Sequence, residues 1–256
     1  MRLVTYDRRG TRRLAAWVDG VLVDLPDAVG HPAFPRTLES LVAGNGGTTL
    51  DAARAALSSP GVLREFSVSR PRILPPLTLA DDRAPDALAP GATLTVRPRE
   101  ELACRPELAC IVGRGAAGRG AAQARGALFG YTVVIAWHLR RPDQEFVPIG
   151  TTVGPCVATA DEIDATARVM VVTVDGHVID QAALAPGITT RFARTIARQS
   201  AKATVRPGEM YGLSPFSELI SIPLPRRKRS AKPELVVGVE VPGIGRLENR
   251  VALVSR

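Results

Sequence analysis

Aromatic residues are scarce in this chain: they make up 4% of 256 residues, with two tryptophans and three tyrosines. Single-stranded nucleic acid is held by successive stacking rings beside cations, so so ring-poor a sequence excludes nucleic acid as the main partner. Cysteine is equally rare. Cys104, Cys110 and Cys156 are odd in number and lack close metal-type spacing, which excludes a disulfide framework or a zinc site and leaves free thiols in a reducing compartment as the expectation. No apolar run approaches the roughly 18 residues of a membrane helix, and Met1 to Thr5 reads as a strand rather than a signal peptide. A soluble, cytoplasmic protein without a membrane partner is expected. Of the histidines, His31 falls in a loop and His177 just after a turn; neither is assigned a role.

What the chain does have is positive charge and apolar bulk. Its net charge is +8, spread along the chain and carried by arginine, since the only lysines are Lys202, Lys228 and Lys232. The one dense run, Arg226-Arg227-Lys228-Arg229, is bracketed by Pro225 and Pro233 and reads as a solvated loop between strands. A hydrophobic fraction of 45% is enough to fill a sizeable core at this length. Short strands are predicted from Arg2 to Leu25, with Asp19-Gly20 as a two-residue hairpin turn. Thr48 caps an Ala-rich helix running to Leu57. The Pro-rich segment from Ser69 to Pro76 marks a boundary, giving a small α/β N-terminal domain over 1–68 and a second domain over 69–256. Strands are predicted over 92–97, 107–112, 131–135, 169–174 and 235–241, with a second hairpin turn at Asp175-Gly176 and a helix from Ile188 to Ala203. The class is mixed α+β and β-rich. Glu101-Leu102-Ala103-Cys104 echoes Glu107-Leu108-Ala109-Cys110, and only the second copy is expected to continue as a strand.

Two stretches carry the chemistry: Arg105-Pro106-Glu107-Leu108-Ala109-Cys110-Ile111-Val112-Gly113, and Gly130-Tyr131 through Ala136-Trp137-His138-Leu139-Arg140-Arg141. Downstream lie Gly154-Pro155, the Thr159-Ala160-Asp161-Glu162-Ile163 segment, Val174-Asp175-Gly176, and Gly243-Ile244-Gly245-Arg246-Leu247-Glu248-Asn249. With these the chain resembles the fumarylacetoacetate hydrolase family over nearly its whole length. The resemblance implies a β-roll-like catalytic domain behind a small N-terminal domain, a homodimer formed through the C-terminal domains, and a small-molecule substrate.

It also implies a changed site. Family members carry two glutamates two residues apart and an aspartate on the next strand, which together hold Mg²⁺ or a similar hard cation; here Arg105, Glu107 and Ala136 stand at those positions. Residues 105 and 107 share a strand face because side chains alternate with a period of two. One carboxylate beside one guanidinium presents roughly no net charge to a divalent ion, so neither metal nor cofactor is expected. The family's general-base histidine is absent from Pro71-Arg72-Ile73-Leu74-Pro75-Pro76-Leu77, no lysine stands near Glu145-Phe146, and of the Thr-Gly-Thr-Pro loop only Ser214-Pro215 is kept.

The residues left to do chemistry are Glu107, Arg105 and His138 as the catalytic set, with Arg140, Arg141, Tyr131, Tyr211 and Ser214 as substrate-binding residues. Arginine offers a fixed positive charge and a planar fork of donors to an enolate oxygen, and histidine exchanges protons at neutral pH. Each has a plainer reading: a solvated Arg105–Glu107 ion pair, a structural histidine, packed tyrosine rings. The sequence points to a metal-independent enzyme acting on an enolisable dicarbonyl, 2-oxo acid or polyketide-like compound by cyclisation, isomerisation, decarboxylation or C–C cleavage, in specialised metabolism. An inactive binding or scaffolding relative is the alternative. A third is an Mg²⁺-dependent acylpyruvate hydrolase with ligands recruited from Glu100, Glu101, Asp143 or Glu145.

Overall fold

A computed structural model describes residues 1–44, 47–78, 87–113, 115, 120–163, 168–225 and 234–254. The Arg226–Arg229 run lies outside the described residues. The chain opens with β1 (Arg2–Arg8), β2 (Thr11–Val18) and β3 (Val21–Asp24). Asp19 at φ 49° and Gly20 at φ 80° make the turn between β2 and β3, the two left-handed residues that match the twist of a tight hairpin. Helices α1 (Leu25–Val29), α2 (Leu38–Ala43), α3 (Gly47–Leu57) and α4 (Val62–Glu65) follow. Because α3 begins at Gly47, Thr48 lies inside its first turn rather than at the cap position expected from sequence.

Next come β4 (Arg72–Leu74), β5 (Ala87–Leu88), β6 (Thr93–Val96) and the long β7 (Glu101–Val112). A short α5 (Ala121–Arg125) leads into β8 (Leu128–Arg140) and β9 (Val147–Thr159); β10 (Val169–Val174) and β11 (His177–Ala183) form a further hairpin. The chain closes with α6 (Ile188–Ser200), β12 (Met210–Leu213), β13 (Ile220–Ser221), β14 (Glu234–Val241) and β15 (Gly245–Leu253). Among the described residues the strands form a ten-stranded sheet whose main path runs β12-β7-β8-β9-β1-β2-β3, with β13 on β7, β4 on β1 and β5 on β9, and a five-stranded sheet with the order β11-β10-β14-β15-β6. No helix among the described residues is long and apolar enough to cross a membrane.

Both Glu-Leu-Ala-Cys copies lie in β7, which corrects the expectation that only the second is extended. The reason is where Pro106 falls. Proline cannot donate to a ladder, and Pro106 sits in a gap: β12 pairs with Leu108 to Ile111 and β13 with Ala103 and Cys104. Its carbonyl on that side is taken by the Ser214 hydroxyl at 2.8 Å.

Alternation along β7 and β8 separates core from site. Leu102, Cys104, Leu108 and Cys110, with Tyr131, Val133, Ile135 and Trp137, join a core with Val172, Val237, Val239 and Leu247 of the smaller sheet and Phe192 and Ile196 of α6. Trp137 satisfies its indole N–H on the Thr152 hydroxyl at 3.0 Å. All three cysteines are free and buried, and burial raises each thiol to about 12, so they behave as inert apolar packing. The opposite face of the large sheet is covered by a second core in which Leu38 and Leu41 of α2 meet Leu3, Leu14 and Leu77. Arg2 pairs with Ala158 on β9, and Thr5 with Leu74 on β4. The N-terminal segment and the segment after residue 68 thereby share one sheet.

Asp24 anchors that N-terminal segment. Buried, it accepts from Tyr6 at 2.6 Å, from Arg13 at 2.9 and 3.1 Å, from Arg8 at 3.0 Å and from the Asp27 N–H at 2.9 Å, capping α1. Burial alone would raise its pKa, but the bonds from Arg13, Tyr6 and the Asp27 N–H outweigh it and hold the carboxyl below the usual carboxylate range. A depressed carboxylate stabilises the fold above its unfolded pKa of about 4, and that contribution is lost as pH falls through the lower folded value. Asp24→Asn is expected to lower unfolding stability by about 3 kcal/mol at neutral pH, the scale of breaking a buried pair. Urea unfolding between pH 7 and pH 2.5 checks this: the difference between wild type and variant shrinks as the pH falls.

Candidate active site

The pairing of β7 with β8 places Arg105 directly opposite Ala136, Glu107 opposite Val134 and Ala103 opposite His138. On the other side of β8, Thr151 lies opposite Ala136 and Val153 opposite Val134. The positions that carry three carboxylates in the sequence pattern described above therefore meet on one patch, filled by Arg105, Glu107 and Ala136. Beside this patch is a cavity of about 600 Å³. Glu107, Val134 and Val153 form part of its lining, Met210, Tyr211 and Gly212 of β12 another part, and Glu39, Leu77 and Thr78 bring in the N-terminal segment.

Glu107 is the central group. Its side chain is 25% exposed and its nearest cation is Arg105, whose Nε lies 3.7 Å from Oε1. Burial pushes the Glu107 carboxyl above its ordinary range, and the Arg105 charge only partly opposes this. Among the described residues it accepts no hydrogen bond, so both oxygens remain available. Its position depends on Gly212: a Cβ there would lie 1.9 Å from Glu107 Oε2. Glycine permits the close approach.

The other expected site residues are distributed around this centre. His138 shares the face but lies beyond Arg105 and does not line the cavity. Among the described residues its Nδ1 is buried without a hydrogen-bond partner, and burial lowers its pKa, with the Arg105 charge adding and the Ala136 backbone opposing. Arg140 forms a cross-strand ion pair with Glu101 and lies over the Phe146 ring, 4.8 Å from its centroid. Arg141 is 3.6 Å from Glu100. Neither arginine lines the cavity. Tyr131 points to the other face, where its hydroxyl is 3.1 Å from the Thr189 hydroxyl and its ring packs on Phe192; it borders a separate cavity of about 870 Å³. Ser214 commits its oxygen to the Pro106 carbonyl and the Phe216 N–H. Tyr211 does line the cavity, and its hydroxyl donates to Glu209 at 2.7 Å. Burial and that carboxylate push its pKa up, so it stays a neutral donor.

Sequence reasoning missed Glu39 and Glu209. Thr37 caps α2, which sets Glu39 in the first helical turn, and one Glu39 oxygen accepts from Arg12 at 2.8 Å and from the Thr78 N–H and hydroxyl at 3.2 Å each. Arg12 also donates to the Pro75 carbonyl at 2.8 Å. A capped helix start is legible locally; its landing beside β7 is a long-range event with no local signal. Glu209 accepts from the Arg206 N–H at 2.9 Å, a turn contact that the Pro207-Gly208 corner foreshadows.

A divalent cation does not suit these donors. Hard cations need several anionic or carbonyl oxygens converging on one point, and among the described residues no three His, Cys, Asp or Glu side chains converge in that way. Glu100 and Glu101, the acids nearest in sequence, are engaged by Arg141 and Arg140.

The fumarylacetoacetate (FAA) hydrolase C-terminal family model matches residues 82–252, and the chain belongs to that family. No curated protein sequence matches it. Among solved structures it is similar to maleylpyruvate hydrolase from Sphingobium sp. SYK-6, with 20% identity and a TM-score of 0.71 over 99% of this chain and 100% of that one. Fumarylacetoacetate hydrolase from Exiguobacterium antarcticum aligns with 14% identity and a TM-score of 0.69, again over 99% and 100%. A Mycobacterium smegmatis 5-carboxymethyl-2-hydroxymuconate delta-isomerase aligns with 16% identity and a TM-score of 0.61 over all of both chains. Hydrolase and isomerase thus share this fold.

Two measurements follow from the site. A carboxyl whose folded pKa is raised contributes stability below its unfolded pKa, and that contribution is lost as pH rises through the folded value. Ionised Glu107 therefore costs stability at neutral pH, and Glu107→Gln is expected to raise the melting temperature at pH 7.5, with the gain disappearing at pH 4; thermal scans at both values check it. The second concerns metal. Arg105→Glu with Ala136→Asp places three carboxylates on adjacent positions of the paired strands, and calorimetry is expected to show Mg²⁺ binding by the double variant and none by the wild type.

Proposed function

We propose that this chain is an enzyme that forms an enolate from an enolisable 1,3-dicarbonyl, 2-oxo acid or polyketide-like compound without a divalent metal, in specialised metabolism. The observation that carries this reading is the Glu107 carboxylate, partly buried, free of hydrogen bonds and open to the cavity, with the Arg105 guanidinium beside it. A carboxylate whose pKa lies above the ordinary range is a better proton acceptor near neutral pH. Glu107 removes the proton from the carbon between the two carbonyls. The C–H electron pair becomes the enolate π bond and the carbonyl π pair moves onto oxygen, and the Arg105 cation, beside Glu107 though not on the cavity lining, stabilises the developing charge through space. Return of the proton to another position gives isomerisation. Cyclisation, decarboxylation and C–C cleavage proceed from the same enolate-like state. The Tyr211 hydroxyl donates its one proton to Glu209 and holds that carboxylate on the cavity wall, while His138, Arg140 and Arg141 lie on the flank of the site. A homodimer is part of the proposal, and a solution mass near 27 kDa would contradict it.

Isotope exchange tests the chemistry. In D₂O the protein is expected to catalyse deuterium uptake at the carbon between the carbonyls of 1-phenylbutane-1,3-dione or of 2,4-dioxo-4-phenylbutanoate, read by NMR against a buffer blank. Glu107→Gln abolishes the protein-dependent rate and Arg105→Ala lowers it about 10²–10³-fold, the usual loss for one preorganised donor. Arg250→Ala, 60% exposed on the smaller sheet, leaves it unchanged. Equal small effects of Arg105→Ala and Arg250→Ala would make Arg105 half of a surface ion pair and return the chain to a binding role.

A further inference from the structure

The cavity's charge narrows the substrate class. Among its described lining residues are three carboxylates, Glu39, Glu107 and Glu209, and a single cation, Arg206. Arg12, which pairs with Glu39, is not on the lining, and the arginines that the sequence offers to an anion are already paired: Arg105 with Glu107, Arg140 with Glu101 and Arg141 with Glu100. None of the three lines the cavity. The rest of the wall includes Leu77, Ala109, Val134, Val153 and Met210, a surface for an apolar body. A permanently anionic ligand would place its charge near Glu107 in a partly dehydrated space whose described lining sets three carboxylates against one guanidinium, Arg206, so that like charges outnumber opposite ones on the wall.

We infer that the compound this cavity takes is uncharged in its ground state, a neutral 1,3-diketone or enol on an apolar frame, and not a carboxylate-bearing 2-oxo acid. The inference rests on the reading of this cavity as the place of enolate formation and adds the charge class of what enters it. It also gives Arg105 a sharper part. An uncharged ligand offers no charge for Arg105 to attract on binding, and negative charge appears only as the proton leaves, so the guanidinium favours the transition state over the bound ligand. Glu107 accepts the proton without first having to tolerate an anion beside it.

A matched pair of probes decides the matter. 1-Phenylbutane-1,3-dione and 2,4-dioxo-4-phenylbutanoate differ only in a methyl group against a carboxylate beside the same diketone. Calorimetry at pH 7 and low salt is expected to show the neutral compound binding at least about tenfold more tightly. Glu107→Gln, which removes the charge and keeps the shape, raises the affinity of the anion and so narrows the difference. Equal or tighter binding of the anion by the wild type overturns the inference, as does binding of neither probe. Deuterium exchange on the same pair separates this from the broader reading: catalysed exchange of the anion with no preference for the neutral compound refutes the charge class and leaves enolate formation standing. No exchange of either compound, despite tight binding of the neutral one, refutes enolate formation and leaves the charge class standing.

Discussion

The in-register pairing of β7 with β8 is the constraint on which the rest of this structure depends. One register sends Leu108, Val133, Ile135 and Trp137 into the core and fixes Arg105, Glu107 and Ala136 on the reverse face. A slip of one residue would exchange the two faces, burying a guanidinium and a carboxylate among valines while exposing a tryptophan. The register is therefore held by the hydrophobic effect along a ladder of twelve residue pairs, and the site inherits its geometry from it. Fully burying side chains of this size is worth about 1.5–3 kcal/mol each, far more than the weak Arg105–Glu107 attraction at 3.7 Å could contribute. The site is placed by the core and not by its own contacts.

That separation explains what was legible in the sequence. β signals mark the strands at 131–135, 169–174 and 235–241, and Asp-Gly pairs mark two hairpins, because those signals are local. A strand over 107–112 covers only the second half of β7: the first half continues through Pro106, which the gap between β12 and β13 accommodates. The sharing of a face by positions 105, 107 and 136 follows from alternation and pairing, so that part of the candidate site could be drawn in advance. Arg140 and Arg141 could not be placed that way. Each continues the strand pattern in sequence, yet the Glu101 and Glu100 side chains facing them hold both away from the cavity, and such pairings depend on the partner strand's register.

Glu39 shows the opposite case. Nothing in residues 37–43 announces a site: a threonine cap and a leucine pair describe an ordinary short helix. Its importance comes from where α2 is forced to lie, pressed by Leu38 and Leu41 onto the face of the large sheet. Once there, the Arg12 guanidinium and Thr78 fix the carboxylate at the cavity edge. The N-terminal segment, which shares a sheet with β9, becomes a wall of the site as a consequence of apolar packing.

Charge then decides what such a site can do. The family's pattern gathers three carboxylates around a cation, a cluster stable only when that cation is bound. In this chain a guanidinium and a methyl group occupy two of the three positions, so the charge balance is internal and needs no ligand to complete it. The cost is that Arg105 begins half neutralised by Glu107. If Glu107 takes up a proton from a bound compound, its negative charge disappears at the moment a new one forms on the neighbouring oxygen. On the proposed reaction the guanidinium exchanges one neighbouring anion for another with little reorganisation of its surroundings, which is the condition under which fixed charges lower a barrier most. An ion pair at 3.7 Å, too weak to hold the fold, serves the proposed proton transfer instead, because the charge it balances is the one that the reaction moves.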